Sequence, residues 1–147
     1  SMDLAVYDDV KAKAGEGAIM YLKKSNDEIA EHKAEGDKEP RQMFVKLKGL
    51  DDDDVVAELQ RITAANKPND KNKTKQDVEN ERKRSARFLA KITVDGLVFF
   101  RGAWVKMNGK ADPQVVFDVY NTVGPLRTQA FTFISEVANF TPEGVEI

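Results

Sequence analysis

The stretch from Arg87 to Phe140 constrains the fold more than any other part of the chain. It is dense in aromatic and aliphatic residues and nearly empty of side chains that carry chemistry. In order it reads as the end of a helix, a short apolar core segment, a turn around Trp104, and two amphipathic helices meeting at Gly124-Pro125. Asp112-Pro113 opens the first of these two, with Asp as N-cap and Pro at the first helical position, where an N–H has no intrahelical partner in any case. Val116, Phe117, Tyr120 and Val123 then share one face of a 3.6-residue period. Leu126, Ala130, Ile134 and Val137 share a face of the second helix, flanked by Phe131 and Phe133, and Asn139-Phe140-Thr141-Pro142 ends it. The pattern describes a helical packing unit.

Upstream, Leu4, Tyr7 and Val10 are spaced by three, which predicts a short helix over 3–14 that Gly15 and Gly17 stop. Ala18 to Leu22 is an apolar run too short for a helix. Met43 to Gly49 alternates Val45 and Leu47 with Lys46 and Lys48, the period of a half-buried strand. The two runs are expected to pair as an antiparallel hairpin with unprotected edges, and a pair alone needs a helix or another subunit to be stable. Asp51 to Asp54 precede Val55, Val56, Leu59 and Ile62 on one helical face. Aspartates at that place cap free N–H groups and complement the helix dipole; they lack the alternating spacing of a calcium loop. A charged helix is expected from Lys75 to Ile92, with Phe88, Leu89 and Ile92 docking on the core. Val94 to Phe100 continues it as an apolar segment with a turn at Asp95-Gly96, and Trp104 falls in a turn bounded by Gly102 and Gly109. The fold class that follows is α+β, mostly helical, with a small N-terminal antiparallel β-hairpin and a C-terminal helical pair. It forms a single domain over 1–147, with flexible polar loops at 25–40 and 66–74.

A chain of 147 residues, 41% hydrophobic and 33% charged, can build one core and is not composed like a disordered protein. No apolar run approaches the length of a membrane helix, and the N-terminus lacks the design of a signal peptide. Ser1-Met2 reads as the remnant of a cleaved tag. With no cysteine there are no disulfides, thiolate nucleophiles or cysteine-held metals. The single histidine, His32, lies in a charged polar segment and reads as exposed, without the oriented partners a catalytic base needs. No phosphate-cradling glycine pattern and no metal-ligand spacing occurs, so no catalytic, cofactor or metal residue is assigned and no cofactor is expected.

Charge is unevenly spread. Residues 1–70 carry 11 basic and 16 acidic side chains, whereas residues 71–110 carry 11 basic and 4 acidic. Such polarity favours oriented self-association or a charged partner. The basic cluster Lys71, Lys73, Lys75, Arg82, Lys83, Arg84, Arg87 and Lys91 raises nucleic-acid binding, but Asp77, Glu79 and Glu81 interleave with it and no recognition motif accompanies it. Trp104 with Phe99, Phe100 and Tyr120 is compatible with a ligand pocket, but aromatics at these spacings are more often core, because they bury so much area.

The order of parts resembles the tail assembly chaperones and related small tail proteins of long-tailed bacteriophages. The resemblance is carried by Gly17 to Leu22, by Phe44 to Asp52, and by Arg87 to Gly96. It is carried above all by Val116-Phe117-Asp118-Val119-Tyr120-Asn121, Gly124-Pro125-Leu126-Arg127-Thr128-Gln129 and Asn139-Phe140. Many relatives carry Trp after the charged helix, where this chain has Asp95-Gly96. The resemblance implies a non-enzymatic protein of the host cytoplasm that binds the phage tape measure protein and tail tube protein, forms a homo-oligomer and has no membrane partner. The residues expected to bind partners are Lys83, Arg84 and Arg87 on the charged helix and Phe117, Tyr120 and Arg127 on the C-terminal pair. The competing expectations are a nucleic-acid-binding or phage regulatory or anti-defence protein using 71–91, and a minor structural tail component.

Overall fold

The computed structural model describes residues 3–68 and 71–145; Ser1-Met2 and the centre of the 66–74 linker lie outside them. The described residues form five α-helices and two sheets. Helix α1 is Val6–Glu16, followed by strand β1, Ala18–Tyr21. The short strands β2, Glu31–His32, and β3, Arg41–Gln42, pair with each other, and β4 is Phe44–Leu47. Helices α2, Asp53–Ala65, and α3, Lys75–Ile92, lead into β5, Thr93–Phe100, and β6, Ala103–Lys106. The chain closes with α4, Pro113–Thr122, α5, Gly124–Ile134, and a 3-10 turn at Val137–Phe140. The α+β class holds, and no helix among the described residues is long and apolar enough to cross a membrane.

Local chemistry explains most of the helix ends. The Asp52 carboxylate accepts the Val55 N–H, so the aspartate run caps α2. Thr74 and Asp77 form a reciprocal capping box that starts α3 where the sequence places it. Asp112 differs: its side chain makes no capping bond, and Pro113 marks the start of α4. Helix α1 runs through Gly15, and α5 stops at Ile134, leaving Val137 in the 3-10 turn.

The sheet is larger than the expected hairpin. β1 and β4 do pair antiparallel, Ala18 opposite Leu47 and Tyr21 opposite Phe44. The second edge of β4, however, is taken by β5, and the full order is β1-β4-β5-β6, so that edge is not free. The Asp95-Gly96 pair does not turn. Gly96 sits inside β5, where a Cβ would lie 2.6 Å from the Phe44 carbonyl oxygen and 2.8 Å from Met107 Cβ. The reversal comes at Arg101-Gly102, both with positive φ, the two-residue hairpin turn that matches strand twist. Trp104 therefore lies on β6 opposite Phe99 rather than in a turn.

Strand alternation sends Met20, Val45, Leu47 and Val98 to one face, where they join a single core with α3, α4 and α5. The opposite face carries Ile19, Tyr21, Phe44, Phe99 and Trp104. The 25–40 segment, expected to be a plain loop, contributes β2 and folds back against that face. At the open edge, the Gln129 side-chain amide donates to the Lys23 carbonyl and accepts the Lys23 N–H, at 2.9 and 2.8 Å. It acts as a one-residue substitute for a neighbouring strand and shortens the exposed edge.

Candidate functional site

The three residues expected to bind a partner from the C-terminal helices are structural. Tyr120 is fully buried, its hydroxyl 2.7 Å from Thr93 Oγ1. Thr93 donates its own hydrogen to the Leu89 carbonyl at 2.6 Å, so Tyr120 is the donor in the pair. Burial pushes the phenol well above its ordinary range, and it stays neutral. Phe117 is buried beneath the Arg87 guanidinium, 4.3 Å from the ring centroid. Arg127 donates to the Tyr120 and Asn121 carbonyls at 2.7 and 2.8 Å and so closes the C-terminus of α4. Helical periodicity reveals that a face exists; whether it points in or out is decided by the other elements. Tyr120→Phe should lower stability by about 1 kcal/mol, the net worth of one buried hydrogen bond whose acceptor keeps a second contact. An unchanged urea midpoint would contradict this placement.

The charged helix behaves differently. Residues Arg84, Arg87, Phe88 and Lys91 recur at three- and four-residue spacing and line one side of a groove of about 210 Å³; Glu58, Arg61, Ile62 and Ala65 of α2 line the other. The two helices run antiparallel, as shown by Lys91 on Glu58 near one end and Arg84 on Asn66 near the other. Ile62, Ala65 and the edge of Phe88 make the floor apolar. Four cations and one carboxylate make the rim. Glu58 is shared between Arg61, at 2.7 Å, and Lys91, at 3.2 Å. Arg84 is held by the Asn66 side-chain oxygen at 2.8 Å, and Arg87 makes no ion pair among the described residues. Arg61 and Lys91 are themselves exposed, and exposed ion pairs are worth little in water, so these two cations can exchange partners at small cost.

The remaining cations of the cluster do not extend this rim. Lys83 and Arg82 both lie on Glu79 and Lys73 on Glu81; Lys67, upstream of the cluster, lies on Asp77, and Lys71 and Lys75 are exposed around the start of α3. Within 71–91, Lys73, Arg82 and Lys83 are thus paired with carboxylates, which interrupts the continuous stripe that phosphate tracking needs. Of the six residues expected to bind partners, Arg84 and Arg87 meet in the groove; Lys83, Phe117, Tyr120 and Arg127 do not. The α2 half of the groove was missed, although Ile62 and Ala65 lie at the end of a face already visible in the sequence.

The aromatic residues around Trp104 also sort differently. Phe99 and Trp104 lie on the outer face of the sheet, 5.2 Å apart and edge to face, whereas Tyr120 is in the core. His32 packs on Phe99 with ring centroids 4.0 Å apart, so it is a half-buried clamp rather than a free surface residue. Trp104 donates its indole N–H to Asp37 at 2.9 Å, and Arg41 lies over the indole ring. The Trp104 and Ala34 N–H groups hold the Asp37 carboxyl below its ordinary value. These contacts pin the 23–42 lobe to the sheet. Among the described residues no group of three or more His, Asp and Glu is placed to hold a metal.

Comparison of the chain with protein-family models, with curated proteins and with solved structures returned no match.

Proposed function

We propose that this chain is a non-enzymatic tail assembly protein of a long-tailed bacteriophage. In this reading it is a chaperone that works in the host cytoplasm, keeps the tape measure protein soluble and yields it to tail tube subunits. The observation that carries the reading is the open α2–α3 groove, apolar in its floor and cationic at its rim. Such a groove suits a long amphipathic helix, whose apolar stripe supplies anchor side chains and whose flanking carboxylates meet the rim. The open part of the β1 edge adds a second place where chains can join. A nucleic-acid role has weaker support, because Glu79 takes up Arg82 and Lys83 and Glu81 takes up Lys73 within the basic cluster.

The test is to dilute denatured tape measure protein into buffer with and without this chain and follow light scattering. The partner should stay in the supernatant only when the chain is present. Arg84→Glu with Arg87→Glu should lose that protection while the variant still melts as a folded protein. Precipitation at the same rate with and without the chain would reject the reading.

A further inference from the structure

We infer that the α2–α3 groove of one copy receives the acidic N-terminal segment of a second copy, so that the chain associates head to tail. The segment Asp3 to Asp9 carries three carboxylates and no cation. Leu4 and Tyr7 stand three residues apart, on one side of the first turn, and remain 66% and 42% exposed. Asp8 and Asp9 make no ion pair among the described residues. An apolar pair flanked by carboxylates is the complement of an apolar floor ringed by Arg61, Arg84, Arg87 and Lys91. The bulk charge has the same polarity, acidic over 1–70 and basic over 71–110.

The segment cannot serve its own groove. Val10 and Ala14 fix α1 in the core, with Lys11 lying beside Asp53 at the start of α2, away from the groove lining. Leu4 and Tyr7 are left facing solvent. Each copy thus carries one knob and one groove at separate places, so the contact is heterologous and leaves a free half at each end. It grows into a ring or an open filament, unless two copies exchange knobs reciprocally and close as a two-fold dimer. This deepens the assembly reading and rests on it for purpose alone. A chain that polymerises yet lets the tape measure protein precipitate would keep the contact and lose the function.

Two variants of the full chain test the contact by sedimentation velocity at low salt. The knob variant is Leu4→Ser with Tyr7→Ser; the groove variant is Arg84→Glu with Arg87→Glu. Arg61→Glu with Lys91→Glu, both at exposed positions, serves as a second groove variant should the first lose its fold. Each variant alone should associate at least about tenfold more weakly than wild type, as loss of central anchors does. Mixed, a knob variant and a groove variant should form one heterodimer and nothing larger, because only one intact contact remains. Variants that assemble like wild type, or a mixture that stays monomeric, would overturn the inference. So would a monomeric wild type whose groove instead retains DNA and loses it on the Arg84 and Arg87 reversal.

Discussion

Gly109→Ala is expected to destabilise the fold by about 3 kcal/mol or more, at the upper end of what overpacking costs. A Cβ at this position would lie 1.6 Å from the Ala90 carbonyl oxygen and 2.7 Å from its carbon. Both atoms belong to the backbone of α3, so no side chain can rotate away to make room. The Gly109 N–H also donates to the Thr93 carbonyl at 3.1 Å, beside fully buried Met107. Relief would require the segment before α4 to separate from the end of α3. For a chain of this size the loss corresponds to a fall of about 10 °C in melting temperature. A variant melting within about 2 °C of wild type would show that Gly109 and Ala90 are not in contact.

Phe88→Ala is expected to cost about 3–5 kcal/mol, the usual range for removing a buried aromatic ring. Phe88 is 1% exposed and stacks on Phe131 with centroids 5.7 Å apart and planes within 10°. It joins α3 to α5 and also supports the groove floor. Urea unfolding should show a lower midpoint with little change in slope. A loss below about 1 kcal/mol would place Phe88 at the surface and dissolve the groove with it.

The helices were legible because their signals are local. Thr74 and Asp77 stand at capping spacing, Asp52 precedes an apolar face, and Pro113 and Gly124-Pro125 mark where α4 and α5 begin. The β1–β4 pair was legible from the alternation of Val45 and Leu47 with lysines. β5 and β6 were not. The Asp95-Gly96 dipeptide has the composition of a turn, and only the approach of β4 and Met107, both distant in sequence, keeps it extended. The site divided along the same line. Excess positive charge on α3 could be counted, but its division into carboxylate-paired residues and groove rim depends on Glu58 and Asn66 of the preceding helix. Tyr120 lay on a correctly drawn face whose direction depends on Thr93. The acidic, apolar start of α1 shows in the sequence as a helix by its spacing, whereas the cationic groove proposed to receive it is assembled from Arg61, Arg84, Arg87 and Lys91, more than fifty residues downstream.

The mass of the wild-type chain in solution tests the central claim most directly. Light scattering over a concentration series, at about 50 mM and then about 500 mM salt, separates charge-guided association from bulk hydrophobic collapse, because exposed charges more than a few ångströms apart are screened at the higher value. The expected result is a mass that climbs above 16.5 kDa with concentration at low salt and returns toward it at high salt. A strict monomer at every concentration and both salt levels would contradict a self-assembling protein.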